Sequence, residues 1–502
     1  MRTLSRRALL AEAGCSLAAP VLLSRAQAQV TPDLVGLGAV EPLVRMLENT
    51  PRERCAEAVV DRMRAGVTYR EIMAAAFLAG VRNVNPRPPG FALHCVFVIH
   101  SAHQLSLEAP ADARLLPLFY AIDNFKEAQD RDAKSKTGDY TMKPLSGALT
   151  APDRAATELA AAFDAWDAER AERAAAALAR NGSAPEAFSL LWAYGARDYR
   201  NIGHKAIFTA NAKRTLDVIG WRYAEPVLRS LALGLADFGP TLQMNGFAYD
   251  DQSYHGNVKR VRDGFSKLPS AWASAPVDPV AVKDAVSAIA SLAPDEACSA
   301  VASLIAKGRL SSQAAWDAVT LSACELRMRS RGGAAFVGVH AVTAANGLRY
   351  SWQSAPDART RYLLTLQGAG WMAQFHRWAG RNPADLLPFS IFDLKPREGT
   401  ADSVLADSKS KPEQASASTL GLASGPATRA QYLAAATRNA IAKADEAHFF
   451  KYLVALLEDS TAVSDRWQPQ VLAATPFYAK SASDPIAPAM KRAQEALTKL
   501  SG

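Results

Sequence analysis

Cysteine is scarce: five occur in 502 residues. No two stand in a CxxC spacing, which excludes a zinc ribbon and a c-type haem attachment site. Beyond residues 1–28 there remain Cys55, Cys95, Cys298 and Cys324. In an exported protein these leave open the three pairings available to any four cysteines. Long apolar runs are also missing past the N-terminus, so no segment is expected to insert stably in a membrane. Charge of one sign is weak. Of the formal net charge of +8, residues 1–28 hold +3 (Arg2, Arg6, Arg7 and Arg25 against Glu12), which leaves +5. Arg327, Arg329 and Arg331 are the one tight basic cluster, with no aromatic residue between them, and this argues against nucleic-acid binding. Runs of β-branched residues are few.

Several metal motifs are absent as well. No histidine is followed two positions later by Asp or Glu, so the His-x-carboxylate half of a facial-triad iron site is missing. There is no HExxH, which excludes a zincin, and no Glu-x-x-His pair for a ferritin-like di-iron bundle. A metal would have to be held mainly by imidazoles from separate helices.

The chain opens on Ser5-Arg6-Arg7-Ala8-Leu9-Leu10, followed by a modestly apolar stretch and Ala26-Gln27-Ala28. This is the form of a twin-arginine signal over residues 1–28, with a small-residue cleavage site. It predicts a periplasmic protein handled by the twin-arginine export machinery, a route that carries folded proteins, often with a cofactor in place. The rest is rich in Ala, Leu and Arg and reads as helix. Apolar periodicity predicts helices over 39–49, 52–64, 68–81, 114–131, 279–291, 295–306, 311–327 and 359–378, with a helix or hairpin over 153–180. Residues 132–150 and 238–256 read as loops. Residues 395–428, rich in Ser, Ala, Lys, Asp and Gly, read as a flexible linker or insertion. The expected organisation is a helical catalytic domain over 29–394, that linker, and C-terminal helices over 429–502 packing back on the main domain.

Histidine is where the chemistry gathers. His94, His100 and His103 fall within ten residues of an apolar run. His100 and His103 lie one turn apart on one helical face, while His94 points elsewhere. Such a pair is either a set of polar core residues or a metal site. His204 shares a face with Phe208 and Asn211, and His340 with Thr343, with Asn346 further along the same segment. His448 and Lys451 stand one turn apart among Phe449, Phe450, Tyr452, Leu453 and Val454. Lys451 therefore either snorkels to the surface or stays neutral enough to react with carbon dioxide. Trp371, Phe375 and Trp378 form an aromatic stripe suited to flanking a flat substrate or to core packing. His255, in the polar loop, and His376, off that stripe, read as bystanders. Gly368-x-Gly370-x-x-Ala373 fits a dinucleotide fingerprint, without the surrounding βαβ pattern that would support it.

The order His100-Ser-Ala-His103, Gly203-His204-Lys-Ala-Ile, Val339-His340-Ala-Val-Thr343 and Asp445-Glu-Ala-His448-Phe-Phe-Lys451 resembles the questin oxidase-like family over residues 91–459. The resemblance implies an all-α, multi-helix single domain whose histidine-bearing helices converge on a central buried site. It implies a non-haem iron oxygenase acting with dioxygen on a cyclic or aromatic organic substrate. The implied ligands of one iron are His100, His103, His204, His340 and His448, with Lys451 as an N6-carboxylated ligand and one histidine held outside the direct ligand set. Phe208, Asn211, Thr343, Asn346, Trp371 and Phe375 are the expected substrate-binding residues. The family carries further histidines where this chain has Phe208 and Asn346. The alternatives are a zinc-dependent hydrolase, since carbamylated lysine also serves hydrolytic sites, and a non-enzymatic exported helical binding or scaffold protein.

Overall fold

Thr68 shows how local sequence sets the helix boundaries. Its hydroxyl accepts from the backbone N–H of Glu71, and the Glu71 carboxylate accepts from the Thr68 N–H at 2.8 Å, which closes a capping box at the start of Tyr69–Asn83. Asp357 caps Ala358–Ala379 in the same way, through the Thr360 N–H at 2.8 Å. Ser311 caps Ser312–Arg329 through Ala314. Between such signals the chain is helix after helix. The computed structural model describes residues 37–135, 139–237 and 252–498. Among them there are 22 α-helices, 73% of the structure is helical, and there is no strand. The protein is all-α, and its buried apolar residues join into one main core.

The predicted helices occur close to the expected bounds. The hairpin reading of 153–180 resolves into Ala155–Asp164 and Ala168–Asn181, with Asp167 capping the second through the Arg170 N–H. Without a strand, Gly368 and Gly370 have no βαβ unit around them; both lie inside Ala358–Ala379 and allow close packing against Trp316 and Cys298. The four cysteines are free and buried. No helix among the described residues is long and apolar enough to cross a membrane. The signal segment expected over residues 1–28 lies outside the described residues.

Two expectations need correction. Of the two readings of residues 395–428, the flexible linker does not hold: they carry helices Ala401–Asp407 and Pro412–Ala423. Thr400 caps the first, and the buried Ser416 hydroxyl donates to the Ala473 carbonyl at 2.7 Å. Val404 and Ala415 join Tyr432 and Ala436 of Pro426–Lys443 in a small apolar cluster of their own. Small Ala and Ser side chains let these helices pack closely, so a polar-looking composition conceals ordered structure. The second correction concerns His255. It lies in helix Gln252–Gly264 and not in a loop; of the expected 238–256 loop, residues 238–251 lie outside the described residues.

Four helices position the site: His94–Glu108, His204–Ile219, Gly332–Ser354 and Ala447–Ala462. The first packs against the second and the fourth, and the third against the second and the fourth, so they form a closed ring of contacts. Two glycines allow the closest approach. A Cβ at Gly347 would stand 3.2 Å from the Ala206 carbonyl oxygen, and one at Gly203 would stand 2.9 Å from the Ala344 Cβ.

Candidate metal centre

Asn201, Ile202 and Gly203 have φ values of 58°, 55° and 82°. A left-handed conformation costs a non-glycine residue roughly 1–2 kcal/mol, so this turn is held by its surroundings. Its consequence is local: the Asn201 carbonyl comes to 2.6 Å from Nδ1 of His204, the first residue of its helix. A carbonyl oxygen only accepts, so Nδ1 carries the proton and Nε2 keeps a bare lone pair.

The same logic fixes two more rings. His340 donates Nδ1–H to the Phe336 carbonyl at 2.8 Å, within its own helix. His448 donates Nδ1–H to Glu446 Oε2 at 2.7 Å. Burial alone would raise the Glu446 carboxyl, but hydrogen bonds from His448 and Tyr478 carry it below its usual value, so it is an ionised acceptor. Fixing the outer nitrogen of a ligating imidazole in this manner sets its tautomer and orientation.

The inner nitrogens then meet. His340 Nε2 and His448 Nε2 are 3.2 Å apart, and His94 Nε2 is 3.0 Å from His204 Nε2. The ligand nitrogens of His94, His204 and His340 all lie within 4.8 Å of one another, and His448 joins them through His340. All four residues are buried. Between His94 and His204 one proton suffices, carried on His94 Nε2, which leaves the His94 Nδ1 without a partner. Between His340 and His448 there is none: two lone pairs face each other. A charged imidazolium is disfavoured there. Burial lowers the pKa of all four rings, and the nearby Lys451 charge lowers each further.

A cation among these nitrogens removes the conflict, and the spacing within each pair can be set against metal–ligand geometry, with His448 outside the set of three that lie within 4.8 Å of one another. Metal–imidazole bonds of about 2.0–2.1 Å put neighbouring nitrogens about 2.9 Å apart in octahedral and about 3.3 Å apart in tetrahedral geometry. The 3.2 Å between His340 and His448 lies in that interval, and so does the 3.0 Å between His94 and His204, where binding would move the His94 proton to the unpartnered Nδ1. Lys451, from the turn after His448, is buried with no hydrogen-bond partner for Nζ, which stands 5.4 Å from the Phe97 ring centroid. It does not snorkel. Burial, opposed by Glu446, pushes its ammonium down to about 7.

His100 and His103 lie outside this group of nitrogens. His100 Nε2 pairs with Glu458 Oε1 at 2.7 Å, and His103 Nδ1 meets the Tyr69 hydroxyl at 3.2 Å. Helix geometry gives the reason. At about 100° per residue, positions six and nine after His94 are turned about 120° and 180° away from it. His94 and Phe97, three residues apart, share the face toward the cluster, with Phe97 stacked 5.6 Å from the His204 ring. His94 is not among the ligands that the family resemblance implies. A signal was available: His94, His204 and His448 are the first, first and second residues of their helices. His376 is buried and pairs with the Ser322 hydroxyl.

Of the expected substrate residues, Asn211, Thr343 and Asn346 line a small inner cavity with Lys451, Ser101 and His100, with room for about one water-sized molecule. Phe208 is packed against Phe97. Trp371 and Phe375 surround Tyr199 and back the strained turn at Gly203. Outside the cavity lies an open groove of ≈ 830 Å³, and His100, Arg214, Val454 and Glu458 border both spaces.

Comparison of the chain with protein-family models, with curated proteins and with solved structures finds no match.

Proposed function

We propose that this is a metal-dependent oxidoreductase of the non-haem iron type, with one metal ion held by His94, His204, His340 and His448. The observation that carries the reading is the facing pair of bare nitrogens on His340 and His448, 3.2 Å apart in a buried, neutral setting. Neutral imidazoles suit iron, zinc and copper alike. The resemblance of the His204, His340 and His448–Lys451 segments to the questin oxidase-like family favours iron, with dioxygen as co-substrate. When bound, such an ion supplies electrons for dioxygen chemistry and a positive charge for oxygen donors.

An anionic donor is also called for. Three helices point their positive N-terminal ends at the cluster, which raises the energy of a cation there unless an anion accompanies it. Lys451, buried and without a partner, is the residue to supply one after reaction with carbon dioxide: its neutral amine forms an N–C bond and releases a proton. The inner cavity beside it has room for about one water-sized molecule. The organic substrate, cyclic or aromatic in this reading, belongs in the outer groove, whose volume is in the usual range for small-molecule sites. Export by the twin-arginine route, with the metal loaded before transport, is part of the same proposal.

Elemental analysis tests it. The protein, purified aerobically and anaerobically, should contain about one iron per chain, and His204→Ala should lose it. Zinc in place of iron would move the reading to a hydrolase. No metal under either condition, with mild effects of single His→Ala changes, would make the protein a non-enzymatic binding or scaffold protein.

A further inference from the structure

His100 belongs to a second constellation, on the groove side of Lys451. Its Nε2 lies 2.7 Å from Glu458 Oε1. The other Glu458 oxygen accepts from Arg214 Nη2 at 2.8 Å and from Asn346 Nδ2 at 3.0 Å. Burial works against the ionised carboxylate, but Arg214, His100 and Asn346 together hold it down at about 2. An ionised carboxylate can only accept, so the His100 Nε2 carries a proton. Burial lowers the His100 pKa, so the ring is neutral and its Nδ1 bare. That nitrogen is buried and has no hydrogen-bond partner. A carboxylate fixing one imidazole nitrogen while the other stays free is the arrangement of a histidine base and its orienting acid. Here it stands at the border between a groove large enough for an organic molecule and a cavity large enough for a small one.

We propose that His100 is the acid–base residue of this site, positioned by Glu458, and that the molecule in the groove carries an ionisable hydroxyl. In the step, the O–H bond of the bound molecule breaks and an N–H bond forms on His100 Nδ1. The electron pair stays on the oxygen, and the imidazolium charge is balanced by Glu458. Arg214 supplies positive charge in the same groove; its guanidinium lies 4.2 Å from the Tyr350 ring centroid, which limits its movement. This rests on the proposed use of the groove, though not on the identity of the metal. The role is distinct from metal ligation, so His100→Gln should leave metal content unchanged.

The test uses the purified full chain with 15N-labelled histidine and 4-nitrophenol as the probe. Long-range 1H–15N spectra, assigned with His100→Gln, should give His100 as the Nε2–H tautomer near neutral pH. Adding 4-nitrophenol should turn His100 into an imidazolium, and a nitrophenolate absorption band should appear at a pH where the free phenol is mostly protonated. Glu458→Gln should shift the tautomer balance and lower that band at least about five-fold, the non-structural readout for a positioning residue. A protonated Nδ1 before addition, a His100 left neutral by nitrophenol, or a band unchanged in Glu458→Gln would each overturn the proposal. Metal content is read separately. A metal-free protein whose His100 takes the proton defeats the metal reading alone, and a metal-loaded one whose His100 stays neutral defeats this one alone.

Discussion

His340 and His448 come from helices more than a hundred positions apart in the chain, yet their Nε2 atoms face each other at 3.2 Å. Neither has a proton to offer the other, because each has committed its own to an acceptor on the outer side: Phe336 for one, Glu446 for the other. Such a pair is destabilising without a cation, and this is the physical core of the metal assignment.

The outer acceptors should therefore matter almost as much as the rings. Glu446→Gln removes the ionised acceptor of His448 and frees that ring to adopt either tautomer. Metal affinity should fall about 10–100-fold, the usual effect of losing such a partner. His103→Gln, which alters only the contact with Tyr69, should leave affinity within about two-fold. Competition titration with a chromogenic chelator measures both.

Gly203→Ala tests the strained turn. The residue has φ +82°, and an added Cβ would stand 2.9 Å from the Ala344 Cβ. The substitution should destabilise the fold by at least about 2 kcal/mol, strain and contact combined. It should also weaken metal binding, since the turn supplies the Asn201 carbonyl that fixes His204. Denaturant melts of the metal-free and metal-loaded forms check the two effects separately.

Lys451→Met should raise the stability of the metal-free protein by about 1–3 kcal/mol, because it replaces a buried, unpartnered amine with an apolar side chain of similar length. The same change should reduce metal retention. In the unaltered protein, 13C-labelled bicarbonate should give a carbamate resonance that Lys451→Met lacks. A destabilised Lys451→Met protein, or a carbamate signal that survives in it, would contradict this role.

Acid should unfold the metal-free protein early. Seven of the eight histidines are buried, and burial lowers the pKa of every one; His103 and His376 are held at about 4 against a usual 6.5. The sign follows from proton uptake. Between those values the unfolded chain binds protons that the native protein does not, so stability falls as pH drops through 6.5 toward 4. Each histidine contributes a slope of up to about 1.4 kcal/mol per pH unit. Urea midpoints at several pH values measure it, and midpoints that stay flat across that window would contradict the account.

Much of the fold was legible because helix signals are local. Thr68 with Glu71, Asp357 and Ser311 each mark a start that the structure places at the next residue. The segment 395–428 misled because composition does not reveal docking: the Ser416 hydroxyl reaches the Ala473 carbonyl from a distant part of the chain. At the site, sequence brought His204, His340, His448 and Lys451 forward as lone polar residues among apolar ones. It favours His100 and His103 over His94 on one helix, and the structure brings His94 to the cluster instead, because that choice depends on which face meets the other helices. His94 faces them together with Phe97, whereas His100 faces Glu458. The pairing of His100 and Glu458 crosses most of the chain and leaves no mark in either local sequence.

The most direct test of the central claim is X-ray absorption on the purified protein, combined with metal stoichiometry. The account predicts about one iron per chain, with an inner shell of nitrogen and oxygen donors and the outer-shell scattering of several imidazoles, lost in His340→Ala. A protein that holds no metal after anaerobic purification and iron addition, or a bound metal whose spectrum lacks imidazole scattering, would contradict it.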